Sequence, residues 1–151
     1  MVLLSLDLGT HNLGLAVTQD GKLIAAGTIK APKRENPIAR QSRMLDGVAA
    51  LVEFWHVTEI AMERPWGAYR NLAPLVALHM GIESWAKEHG LPCYSYPVAT
   101  VRKGVCRSGR VSRPVLALAV RQLYPGLPAD ADEHQIDCLA LAWHHQRQKE
   151  V

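Results

Sequence analysis

Residues 2–17 read VLLSLDLGTHNLGLAV, and the parsing of this stretch decides the fold. Residues 2–8 are a short apolar run rich in strand formers, interrupted by one acid, Asp7. Gly9 turns the chain, and Leu13–Val17 has strand composition again. Asp20-Gly21 is a two-residue pair suited to a hairpin turn, and Lys22–Ile29 reads as a third strand. The chain therefore opens as an antiparallel meander.

Outward from the meander, Lys30–Asn36 is a charged, proline-containing loop. Ile38, Leu45, Val48, Leu51, Val52 and Trp55 recur at helical spacing, which predicts a helix over Pro37–His56. Thr58–Met62 is a short strand closed by Glu63. Pro65, Gly67 and Asn71 mark a loop. Leu72–His89 has helical period, and Gly90 stops it. Pro92–Tyr96 reads as a fifth strand, Val98–Lys103 as a helical turn, and Cys106–Arg110 (CRSGR) as a basic loop. Ser112 is placed to cap a helix over Arg113–Tyr124, with Pro114 in its first turn. A last helix is expected from about Asp132 to Gln148. Three meander strands followed by alternating helices and strands imply an α/β fold: a mixed five-stranded sheet with helices on both faces.

At 151 residues one domain spanning 1–151 is expected. Apolar content of 48% with 21% charged residues excludes a disordered chain. The net charge of +3 permits a polyanionic partner without requiring one. Cys93, Cys106 and Cys138 are widely spaced with no CxxC pair, which argues against structural zinc and a disulfide framework and fits a reducing cytoplasm. The apolar start carries no basic leader, and no run approaches the roughly 20 apolar residues of a membrane span.

Acids at the ends of regular elements draw attention. A lone carboxylate at Asp7, closing a buried strand, costs several kcal/mol unless paired, metal-bound or capped by its own turn. Glu63, taken alone, reads better as an exposed strand-end charge paired with Arg64 or another arginine nearby. His134 and Asp137 lie at i and i+3 on the last helix, beside a stripe of Ile136, Leu139, Ala140 and Trp143. The helix dipole accounts for Asp130, Asp132 and Glu133 but not for Asp137, which lies past the first turn. If the first strand and the Glu63 strand are neighbours, a helix packed across them brings all four groups to one edge. Hard cations such as Mg²⁺ and Mn²⁺ prefer such oxygen ligands.

Four segments in order, LSLDLGTHNLGLAV, MERPW, VRKGVCRSGRVSRPV and HQIDCLALAWHH, give the chain a resemblance to the RuvC group of Holliday junction resolvases, within the ribonuclease H-like superfamily. The resemblance spans nearly the whole chain. It implies metal ligands and catalytic roles at Asp7, Glu63, His134 and Asp137, with Mg²⁺ or Mn²⁺ as cofactor, two per site. His134 stands where many members have aspartate, which removes one negative charge when the imidazole is neutral. Trp66 matches an aromatic position that stacks on a base near the branch point, with Tyr69 beside it and Arg64 and Arg70 flanking. Arg102 and Arg113 match DNA-contacting positions, and Lys103, Arg107 and Arg110 add charge. From Arg102 to Arg121 there are six basic residues and no acid, a stretch suited to phosphate contacts. Arg107 departs from the family pattern, where glycine is common.

The expected activity is metal-dependent resolution of four-way DNA junctions by paired phosphodiester hydrolysis. The expected state is a cytoplasmic homodimer, bacterial or phage-encoded, since the substrate has near two-fold symmetry. A branch-migration motor is a possible further partner. Leu75, Leu78, His79, Ile82 and Trp85 form an apolar helical stripe that reads as core as readily as interface. The alternatives are an RNA-processing nuclease of the YqgF type and a non-catalytic nucleic-acid-binding module. The DLGT turn also opens actin-like ATPases and sugar kinases, but those need a second related domain.

Overall fold

A computed structural model describes residues 1–65 and 72–151. Strands β1 (Val2–Asp7), β2 (Asn12–Gln19) and β3 (Lys22–Lys30) come first. They are followed by α1 (Pro37–Trp55), β4 (Glu59–Glu63), α2 (Leu72–Glu88), β5 (Cys93–Tyr96), α3 (Val98–Cys106), α4 (Arg113–Leu123) and α5 (Glu133–Lys149). The sequence reading needs one correction in this order. The segment after β5 is a nine-residue helix, not a single turn. Val101 buries against the core and holds it there.

The strands form one sheet in the order β3-β2-β1-β4-β5. β1 is antiparallel to β2 and parallel to β4, and β4 is parallel to β5. The β2–β3 hairpin turns on Asp20 and Gly21, whose φ values of 49° and 80° are both left-handed. That is the turn whose twist matches flanking strands. Gly90, at φ 65°, ends α2, and its neighbour Leu91 donates back to the Ala86 carbonyl at 2.9 Å.

Alternation along the strands divides the core in two. Leu4, Leu6, Leu13, Leu15, Val17, Ile60 and Met62 pack beneath α1 and α2, with Met44, Val48, Leu78 and Ile82. Leu78, His79 and Ile82 are buried there, so most of the α2 stripe is core. Leu3, Ala16 and Ala61 face the other way, toward α3, α4 and α5. The small residues on that second face let α5 lie close against the sheet. α5 is in turn covered by α3 and α4, so Cys138 through Ala142 are all buried. The expected stripe is therefore too narrow: Trp143 is only half-buried, while Cys138, Leu141 and Ala142 are inside.

Candidate active site

β1 and β4 run parallel and end at the same edge of the sheet. Their register pairs Leu6 with Met62. Asp7 and Glu63 follow one step beyond that pair, side by side on the face that α5 covers. Asp132 caps α5, its side chain accepting from the Gln135 amide at 2.9 Å and from the Thr28 hydroxyl at 3.2 Å. The cap fixes where the helix begins and so which side chains meet the sheet edge. His134 and Asp137 are the two that do. His134 Nδ1–H donates to Asp7 Oδ2 at 2.8 Å.

Gly14 makes this approach possible, and sequence reasoning passed it over. It pairs with Asp7 across β1 and β2. A Cβ at Gly14 would stand 2.7 Å from His134 Cβ and 3.1 Å from its backbone. The signal available in sequence was a glycine inside a strand, which often marks close approach of another backbone.

Burial and mutual repulsion govern the electrostatics. Burial, then the negative charges of Asp7 and Asp137, push Glu63 up to about 8. Burial and the charge of Asp7 push Asp137 up to about 6. Asp7 is also raised, because burial outweighs the hydrogen bond and positive charge of His134. Burial disfavours the His134 imidazolium, but the hydrogen bond and charge of Asp7 outweigh it and raise that group above its ordinary value. Three crowded carboxylates whose ionisation burial and mutual repulsion disfavour constitute a site short of positive charge, which an oxygen-seeking divalent cation would supply. The donor set thus fits such ions. Among the described residues no three of these groups already surround one point where an ion would sit. Two of the ligand candidates are engaged otherwise: Asp7 by His134, and Asp137 by Arg113, whose Nη1 lies 3.4 Å from Oδ2.

Arg113 also reaches Glu133 Oε2 at 3.2 Å, so it sits among the acids. Arg102 is half-buried on α3 and donates to the Val111 carbonyl at 3.4 Å. Its charge draws down both Glu63 and Asp137. Arg64 does not pair with Glu63; its guanidinium turns to the Ser95 carbonyl at 3.4 Å. Lys103, Arg107 and Arg110 are exposed along the α3–α4 connection. Arg107 has φ 64°, a left-handed conformation that glycine adopts more readily than arginine. Ser112 stands at the α4 N-cap with extended backbone, but its side chain accepts no capping hydrogen bond, contrary to expectation. Trp66, Tyr69 and Arg70 lie outside the described residues. A recess of about 140 Å³ opens against Asp7 and Glu63, walled by Arg64, Pro65, Leu75 and Val98.

No protein-family model matches the chain. Individual relatives do. The crossover junction endodeoxyribonuclease RuvC of Halorhodospira halophila is 28% identical over 151 residues, covering 95% of this chain and 88% of the relative. That of Cutibacterium acnes is 29% identical, covering 94% and 76%. Among solved structures, Thermus thermophilus RuvC in complex with a Holliday junction substrate superposes with a TM-score of 0.84 at 26% identity, covering 99% of this chain and 94% of that one.

Proposed function

We propose that this chain, a RuvC-type Holliday junction resolvase and crossover junction endodeoxyribonuclease, cuts its substrate at the sheet edge formed by Asp7, Glu63, His134 and Asp137. One observation carries the assignment of residues. Side chains separated by up to 130 positions, on β1, β4 and α5, converge where two parallel strands end.

Asp7, Glu63, Asp137 and the His134 imidazole are the groups that would hold divalent cations, Mg²⁺ or Mn²⁺, two to a site. When bound, such ions supply Lewis acidity toward the scissile phosphate and acidify water for in-line attack. The chain's own residues do the rest. Asp7 lies on the central strand, the most rigid element, and fixes the geometry. His134, held 2.8 Å from Asp7, orients that carboxylate. Glu63, pushed up to about 8, would give up its proton to hold a bound cation, and Asp137 would offer a carboxylate beside it. Arg113 and Arg102 hold positive charge beside the place where phosphate oxygens come to rest. The exposed Lys103, Arg107 and Arg110 extend that charge outward along the backbone path. Trp66, Tyr69 and Arg70 follow Glu63 closely in sequence, and stacking on an unpaired base is the role proposed for the two aromatic residues.

A four-way junction with near two-fold symmetry calls for two such sites, so a homodimer is proposed. A cytoplasmic setting is proposed from the three isolated thiols.

The test is a nicking assay on a mobile four-way junction, with and without Mg²⁺ or Mn²⁺. Wild type is expected to cut the junction and spare linear duplex. Asp7→Asn is expected to lower the rate of cutting by about 10²- to 10³-fold, the loss expected for one electrostatic stabiliser, while junction binding in a gel-shift assay persists. Cutting retained at the wild-type rate by Asp7→Asn refutes the assigned site. A preference for structured RNA over the junction would favour the RNA-processing reading instead.

A further inference from the structure

A second recess opens on the other side of Asp137, between α4 and α5, with a volume of about 240 Å³. Its floor is apolar: Leu116 and Ile136 are buried there, and Ala117 lies between them. Its rim carries two planar cations, Arg113 and Arg121. Arg121 is anchored to the carbonyls of Pro128 and Ala129, both at 3.1 Å, which fixes its guanidinium in place at the rim. Arg113 is held by Glu133 and Asp137. The space is smaller than the roughly 300–1,000 Å³ that drug-sized ligands occupy. It suits a single flat heterocycle.

We propose that this recess receives the base of a nucleotide flanking the scissile phosphate, and that it thereby sets which sequences are cut. The proposal rests on the nuclease reading above. Three features choose a nucleobase over another apolar occupant. Asp137 is at once a wall of the recess and a member of the acidic cluster, so the nucleotide next to the reacting phosphate is the group within reach. The apolar floor offers a base the dispersion contact that it loses on leaving its stack. The guanidinium planes at the rim offer both stacking on the base and charge for its phosphate. Base discrimination then comes from fit between floor and rim, close to where the backbone is cut.

The experiment uses four-way junctions in which each nucleotide around the cleavage point is replaced, one at a time, by an abasic site. Single-turnover cleavage is measured for wild type and for two variants that fill the recess from opposite walls, Ala117→Leu and Ala131→Leu. In wild type, one flanking position is expected to lose about 5- to 150-fold in rate when its base is removed, the range of a lost stacking contact. In the filled variants that penalty is expected to fall to within about twofold, with junction affinity unchanged and the spread of rates across a randomised cleavage sequence narrowed. Circular dichroism melts select whichever variant folds as wild type. An undiminished penalty in a folded variant, or no position-specific penalty in wild type, overturns the recess while leaving the nuclease reading intact. Failure of wild type to cut any junction overturns both.

Discussion

Glu63 concentrates the tension at this site. The folded protein holds its proton up to about pH 8, whereas an ordinary glutamate releases it near 4.5. Between those values the folded state binds more protons than the unfolded chain. Stability therefore falls as pH rises through that window, by at most about 1.4 kcal/mol per pH unit from this group, and then levels. Glu63→Gln removes the ionisation. In chelator-treated protein the substitution is expected to raise the melting temperature at pH 8 and to leave it unchanged near pH 4.5. Thermal scans at the two pH values check this; an equal shift at both would place the effect elsewhere. Added Mn²⁺ is expected to stabilise wild type more than the variant. Sequence alone left Glu63 ambiguous, because a strand-end acid next to Arg64 looks like an ion pair. Only the turn of Arg64 toward Ser95 settles where its charge goes. Arg107 was legible as a misfit in its family's pattern, and its left-handed backbone supplies the reason.

At the scale of elements, α5 decides whether a site exists. Its first turns must come within van der Waals contact of β2, and Gly14 is the clearance. Gly14→Ala puts a methyl group 2.7 Å from His134 Cβ. The helix must shift, at an expected cost of about 1–3 kcal/mol in urea denaturation, with cleavage falling more steeply because His134 and Asp137 move together. The other end of α5 is fixed by a buried polar network. His145 has no exposed surface; its Nε2 lies 2.7 Å from Glu59 Oε2 and its Nδ1 2.7 Å from the Tyr96 hydroxyl. Lys149 adds a charge 3.3 Å from Glu59 and donates to the Tyr94 hydroxyl at 2.8 Å. Burial pushes the Glu59 carboxyl up, but the bonds from His145 and Lys149 prevail and hold it below the ordinary value. His145→Ala removes a hydrogen-bond partner from half-buried Glu59 and Tyr96 and is expected to cost about 1–3 kcal/mol of unfolding free energy, with His145→Gln recovering part of it. Apart from α3, which runs three residues further than read, the strand and helix spans were legible to within a residue or two, because hydrophobic period and turn glycines encode them. This network was not. Glu59, Tyr96 and His145 are far apart in sequence, and nothing local marks them as partners.

For the molecule as a whole, the division of labour follows the sheet. α1 and α2 cover one face and take no part in the acidic cluster, while α3, α4 and α5 cover the other and carry the basic groups together with His134 and Asp137. Order and class of elements were readable because each amphipathic segment names the face it buries. The meeting of β1 with β4 was inferred from topology and is seen in the register. The recess between α4 and α5 was invisible in sequence, since it depends on how two helices splay. The paired-cut proposal makes a whole-molecule demand: sedimentation at micromolar concentration is expected to give twice the monomer mass, and a monomer that still nicks both strands symmetrically would sink the dimer.

The position of α5 in the chain has a consequence for biosynthesis. β1, with Asp7, leaves the ribosome before the helix carrying His134 and Asp137, which follows more than a hundred residues later. Pairings of such long sequence separation form slowly. A polypeptide that stops short of α5 therefore lacks His134 and Asp137, two of the four residues proposed for cutting, and the proposed site is complete only once translation has delivered that helix.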